Sequence, residues 1–265
     1  MNFADAARDP KRKIARAEKL FSEALRELAL WAEQNPVTAH MEPHPDRRRI
    51  DVVLDAVVEP PVEEVALIIG DAIHNLRAAL DNLAWNLAHY SGAPENPQSI
   101  YFPVAETQGA WTRSSKNFTS MPLDVLEQIR VLQPFTFPSP SNCFLWQLHR
   151  LDIADKHRDY LLATPHIKSS ESKFQIGLDA DTTLVFRNPE TSARVRSGEL
   201  HAWIELSQPF WERVTLNEVV RVDTAFTVSH DKNSPGIPLH EMAASFPTVV
   251  TAIVDFICYR GAPAG

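Results

Sequence analysis

Glycine and cysteine are scarce in this 265-residue chain, with eight of the first and two of the second. None of the glycines builds a G-x-G-x-x-G or Walker loop, and no G-x-S-x-G elbow occurs, so the common phosphate cradles and the hydrolase nucleophile turn are excluded. Cys143 and Cys258 are far apart in apolar surroundings, and no C-x-x-C exists, which argues against zinc-ribbon and thioredoxin chemistry. His240-Glu241 begins like a zinc-protease helix, but Ala244 stands where the second histidine is required. No long apolar run occurs: Val249 to Cys258 is interrupted by Asp255 and is too short to span a bilayer. The start, Met1-Asn2-Phe3-Ala4-Asp5, has no apolar signal core. Buried reduced thiols, a cytoplasmic location and no membrane partner are therefore expected.

Positive charge is also short. The net charge of −8 and a pI near 5.7 disfavour generic nucleic-acid binding, DNA above all, which needs an excess of Lys and Arg. Lys11-Arg12-Lys13 and Arg47-Arg48-Arg49 read as a solvated helix start and a hairpin loop, and His40 and His44 as isolated surface residues. Twenty prolines against eight glycines indicate ordered loops.

The apolar content, 44%, is that of a globular protein with a substantial core. Ile14, Ala17, Phe21, Ala24, Leu25, Leu28 and Trp31 recur at helical spacing and predict a first helix over 10–34. Residues 37–41 and 50–58 read as a hairpin turned by Pro43-His44-Pro45-Asp46. A second helix starts at Pro61 and ends near Tyr90, with Gly70 inside it, where a close backbone approach by another element would account for the glycine. Residues 97–140 read as loop-rich, with a short helix expected at 123–132, and a third long helix starts at Ser139-Pro140-Ser141 and ends before Thr164-Pro165, apolar all round. Strands follow at 175–178, 183–187, 200–206 and 218–228, then a last helix over 239–259 that Pro247 kinks or restarts. The expected fold is α+β: a helical bundle over 1–165 with a β-hairpin insertion at 37–59, a small antiparallel β unit over 166–236, and a C-terminal helix over 237–265 returning to the bundle.

From Val65 to Pro94 there is neither Lys nor Glu. On a helical wheel Asp71, His74, Ala78, Asp81, Asn82, Trp85 and His89 gather opposite the apolar stripe, flanked by Asn75 and Arg77. Short or planar polar groups suit a packed face, whereas long flexible charges suit a solvated one. The third helix offers His149, Asp152 and Lys156 on one face, with Asp155, His157 and Arg158 on others. Asp152 and Lys156 at i, i+4 and Asp155 and Arg158 at i, i+3 can pair locally. If the two helices pack, Arg77 meets Asp152 or Asp155, and Asp71 or Asp81 meets Lys156 or Arg158, giving a charge-balanced structural network.

Three functional readings stand beside that network, and no cofactor is implied. Asp71, His74, His149 and Asp152 form two i, i+3 pairs, the spacing by which helical bundles hold metals. His74, Arg77, Asp81, Asp155 and Arg158 offer a site for a small acidic ligand, since Arg forks suit carboxylate and phosphate. Arg150 and His157, with six residues between them, resemble the Arg–His motif of HEPN-superfamily ribonucleases. That resemblance implies a helical bundle, RNA as partner and metal-independent cleavage, with His157 as base and Arg150 or Arg77 on the phosphate. Arg77 is followed at the corresponding spacing by Asn82 and so departs from the motif. His74-Asn75-Leu76-Arg77-Ala78-Ala79-Leu80-Asp81 and Asp155-Lys156-His157-Arg158, with Phe102-Pro103 and Gln133-Pro134-Phe135 between them, also resemble a group of uncharacterised bacterial proteins sharing H-N-L-R-x-A-L-D and D-K-H-R. That resemblance implies no established activity.

Overall fold

The computed structural model describes residues 3–35, 38–55, 58–90, 92–157, 162–171, 184–187, 200–209, 221–230 and 236–259. Helices α1 (Phe3–Ala6), α2 (Arg8–Gln34), α3 (Val62–Ala88), α4 (Gln108–Ser114), α5 (Leu123–Val131), α6 (Phe144–His157) and α7 (Leu239–Tyr259) combine with strands β1 (Ala39–Pro43), β2 (Arg49–Leu54), β3 (Leu162–Glu171), β4 (Leu184–Arg187), β5 (Leu200–Leu206), β6 (Arg221–Ser229) and β7 (Ile237–Pro238). The fold is α+β, as the sequence pattern implies.

The chain divides into two compact units. The first comprises residues Met1–Leu25, Glu63–Leu162 and Val228–Gly265 and is mainly helical. Its centre is α3, whose Ile69, Ile73, Leu76, Leu80, Leu83 and Leu87 are fully buried. These positions recur every three or four residues, so a single stripe faces the core. The Asn86 side-chain amide donates to the Ala6 carbonyl at 3.1 Å and anchors α1. Helix α7 packs on α1 and α5. Pro247 lies inside α7 without ending it. By length and mean hydropathy, 1.6, α7 would also pass for a membrane-crossing helix. Its Met242, Phe246, Val250, Ile253, Val254 and Ile257 are nevertheless buried.

Between α3 and α4 the chain runs without regular secondary structure through Phe102–Ala105, which is fixed at both ends. At the far end the fully buried Gln133 accepts from the Ala105 N–H at 2.9 Å and donates to the Ile129 carbonyl at 3.1 Å. The Phe135 N–H donates to the Ala105 carbonyl. A buried primary amide needs such partners on both sides.

The second unit comprises Arg26–Val62 and Ala163–Thr227. It contains a four-stranded antiparallel sheet of order β1-β2-β5-β4. Alternating burial along β2 puts Ile50, Val52 and Leu54 on the covered face. The β1–β2 turn places Arg47 at φ 58°, and the Asp46 carboxylate accepts from the Arg48 N–H at 2.8 Å. A second sheet has the order β3-β6-β7.

Several expected boundaries move. The hairpin, inserted in sequence between two stretches of the helical unit, pairs through β2 with β5 and so joins the larger sheet. The third long helix stops sooner than expected, because Leu162 is already in β3, where the β-branched Thr164, Ile167 and the prolyl residue Pro165 follow. Helix α4, capped by the Thr107 hydroxyl accepting from the Ala110 N–H, occupies a stretch expected to be loop. The strand expected at 175–178 lies outside the described residues.

Candidate functional site

Helices α3 and α6 meet in an antiparallel ladder. Asp155 lies against Gly70, where a Cβ atom would fall 2.7 Å from the Asp155 Cγ. One turn along, His74 Nδ1 is 3.1 Å from Asp152 Oδ1. A further turn along, the Arg77 charge acts on His149. Residue numbers rise on α3 as they fall on α6, in steps of three or four, so each turn of one helix faces one turn of the other. Gly70 admits a carboxylate side chain here, rather than the backbone expected.

The inner part of the site is a clamp on the Phe102–Ala105 segment. Arg77 Nη2 lies 2.9 Å from Asp81 Oδ1 and donates to the Phe102 carbonyl at 2.6 Å. The Phe102 N–H donates to Asp81 Oδ1 at 2.8 Å. One peptide residue is thus gripped at both polar ends by an ion pair one helical turn long. The Arg77 side chain is 8% exposed and Asp81 27%. Burial pushes the Asp81 carboxyl above its ordinary value, against the Arg77 charge and the Phe102 N–H.

The outer part is open to solvent. Asp152, with a side chain 5% exposed, is shared by His74 and by Lys156, whose Nζ lies 2.8 Å from Asp152 Oδ2. His74 is 50% exposed. A carboxylate on Nδ1 fixes the ring and leaves Nε2 facing outward. Asp71 is exposed, and its carbonyl accepts from the Asn75 side chain at 2.8 Å. Burial, with the nearby Asp152 and Asp71 charges, raises the Asp155 carboxyl above its ordinary value. Burial lowers the His149 imidazole below its ordinary value, and the Arg77 charge adds to this. Two buried atoms of the ladder, Arg77 Nη1 and His149 Nδ1, have no hydrogen-bond partner among the described residues.

For Arg77 and Lys156 the local ion pairs prevail over the cross-helix ones. Arg77 pairs with Asp81 on its own helix, and Lys156 with Asp152 on its own, so His74–Asp152 is the polar bond described between α3 and α6. Each long cation finds a carboxylate one turn away at lower entropic cost than across the interface. The Arg77 guanidinium therefore commits Nη2 to Asp81 and the Phe102 carbonyl, while Nη1 has no hydrogen-bond partner among the described residues. The polar face of α3 is buried at Arg77, where Phe102 is gripped, whereas His74 and Asp71 are exposed, and Trp85, 43% exposed, stacks on His89 at 4.3 Å.

Arg150 turns away from the ladder, its guanidinium carbon 5.5 Å from the centroid of the Trp146 ring. His157 closes α6 seven residues later, on the same helix face. The His157 side chain and Arg158 lie outside the described residues. For Asp71, His74, His149 and Asp152, no cluster of three or more His, Cys, Asp or Glu able to hold a metal ion occurs among the described residues. The chain matches no protein-family model, no curated protein and no solved structure.

Sequence reasoning missed two contributors, Phe102 and Gln133, whose parts are played by or on the backbone. Residue type carries no signal for a gripped peptide group. Phe102-Pro103 and Gln133-Pro134 were visible only as shared motif fragments.

Proposed function

We propose that the α3–α6 ladder is a binding site for a small polar ligand, built on a structural clamp. The inner Arg77–Asp81–Phe102 set is scaffold apart from Arg77 Nη1, and the ligand is held along His74, Asp152 and His149 with an acceptor on that one atom. The observation carrying this reading is the pair of unpartnered buried atoms, Arg77 Nη1 and His149 Nδ1. A purely structural network gains by satisfying every polar atom, and each orphan costs about 1–3 kcal/mol. Retaining two of them beside a half-exposed, carboxylate-anchored imidazole suits a ligand that offers an acceptor to Arg77 and a hydrogen bond to His149. With Asp71, Asp81, Asp152 and Asp155 around it, the site favours a neutral or zwitterionic molecule over a strongly acidic one. Buried, unbridged Cys143 and Cys258 support a reducing, cytoplasmic setting.

The test is a screen of small polyols, amino acids and carboxylic acids against histidine-labelled protein, read by ring ¹⁵N and ¹³C resonances. The expected result is a compound that shifts His74 and His149 together and ceases to do so in His74→Ala, with folding unchanged. If no compound moves either ring, the constellation is scaffold alone.

A second reading, metal-independent RNA cleavage, is favoured by one observation: Arg150 has no acidic partner among the described residues. It assigns Arg150 to the phosphate and His157 to proton transfer, with Arg77 withdrawn to the clamp. Cleavage of RNA in the presence of chelator, abolished by His157→Ala, supports it. Inactivity on single-stranded and structured RNAs removes it.

A further inference from the structure

A cavity of about 420 Å³ opens in the helical unit on the other flank of α6. Its volume falls in the ordinary range of small-ligand pockets. Trp146 and His230 stand in its wall with ring centroids 5.8 Å apart and planes at 87°, forming an aromatic corner. Asn142 and Gln147 also line it. Gln147 is tethered through Nε2 to the Ser141 carbonyl, at the long distance of 3.4 Å, which leaves Oε1 to accept from a ligand. Leu151 and Ile237 supply apolar wall.

The corner and the amides select a particular chemistry. A flat ring laid against one aromatic wall meets the other edge-on, the arrangement aromatic quadrupoles prefer. Side-chain amides donate and accept in one plane and match the edge of a heteroaromatic ring that does the same. An aliphatic ligand would leave those amides unpaired, and a carbocyclic ring would leave them unread. Arg150 adds a charge preference. It is not itself in the wall, but its guanidinium lies over the ring of Trp146, which is, and it forms no ion pair among the described residues. A half-buried guanidinium without a carboxylate is suited to a phosphate.

We propose that this pocket binds a nucleoside monophosphate, with its base in the Trp146–His230 corner, its edge read by Asn142 and Gln147, and its phosphate held by Arg150. This site is separate from the His74–Asp152 ladder and stands whether or not that ladder binds a ligand.

Isothermal titration calorimetry of the full chain with the four 5′-monophosphates, their nucleosides and inorganic phosphate tests it. At least one monophosphate is expected to bind, its nucleoside more weakly, and phosphate alone not at all. Trp146→Leu is expected to weaken binding about ten-fold or more, the scale set by losing one base–aromatic stack. Arg150→Met is expected to weaken the monophosphate and leave the nucleoside affinity unchanged. Gln147→Leu, which keeps the apolar stem, is expected to alter the preference among bases, and it carries the test if Trp146→Leu does not fold. The proposal is overturned if no monophosphate binds at millimolar concentration. It is overturned equally if Trp146→Leu and Gln147→Leu bind as the wild type does, or if Arg150→Met weakens nucleoside and monophosphate alike.

Discussion

The Asp155 carboxylate rests on Gly70, filling the space a side chain would take. In an open helix, replacing this glycine by alanine would gain about 1 kcal/mol. Here the new methyl must displace a half-buried carboxylate on the facing helix. Gly70→Ala is therefore expected to destabilise the protein by about 1–3 kcal/mol, the usual cost of overpacking. In the background of Asp155→Ala the same change is expected to stabilise. Denaturant midpoints of the two single variants and the double variant check this, and a simple gain in Gly70→Ala alone contradicts the contact.

That contact shows how far the sequence could be read. Gly70 stood out because a glycine inside a helix is costly, and the reason for it lay 85 positions away (70 to 155), beyond any local pattern. The stripes of α2, α3 and α7 were legible because burial on one side imposes a 3.6-residue period on the order of apolar residues. The end of α6 was not, since its apolar residues lie on all sides and give no phase that changes where β3 begins. The site was half legible. Asp, His and Arg on α3 and α6 marked the ladder, and their spacing gave Lys156–Asp152. Which partner Arg77 takes depended on the Phe102 peptide, whose polar atoms every residue shares.

Two histidines are expected to act on stability with opposite sign. Burial and the Arg77 charge lower His149 below its ordinary value of 6.5. The unfolded chain then takes up its proton first as pH falls. Stability from this residue is present above 6.5 and is lost as pH drops toward the lowered folded value. The difference in unfolding free energy between wild type and His149→Asn should therefore shrink on acidification from neutral pH. A flat difference contradicts the burial of a neutral imidazole.

His40 runs the other way. It is not the isolated residue expected: Nε2 lies 2.9 Å from Glu42 and Nδ1 2.7 Å from Asp55, which Thr38 also bonds. Hydrogen bonds to Glu42 and Asp55 raise it above 6.5. Its contribution is complete below 6.5 and is lost as pH rises through the raised folded value. Because the ring is half exposed, the effect should stay within about 1 kcal/mol. Comparison of His40→Asn with wild type between pH 5.5 and 8.5, roughly the histidine range, is expected to show a gap that narrows upward.

Burial pushes the Cys258 thiol up to about 11 and encloses Cys143. Only thiolate reacts readily with disulfide reagents. Ellman's reagent at mildly alkaline pH is expected to leave both thiols untouched in the folded protein and to titrate both in denaturant. Rapid labelling of the native chain would contradict their placement.

The central claim is that the constellation is divided, with Arg77 structural and His74 available to a ligand. Equilibrium unfolding of Arg77→Met beside His74→Ala tests it most directly. Methionine keeps much of the apolar stem and strands Asp81 and the Phe102 carbonyl, so a loss of about 3–5 kcal/mol is expected. His74→Ala, removing a half-exposed ring, is expected to cost about 1 kcal/mol or less. Equal losses, or an Arg77→Met variant as stable as the wild type, would contradict the division.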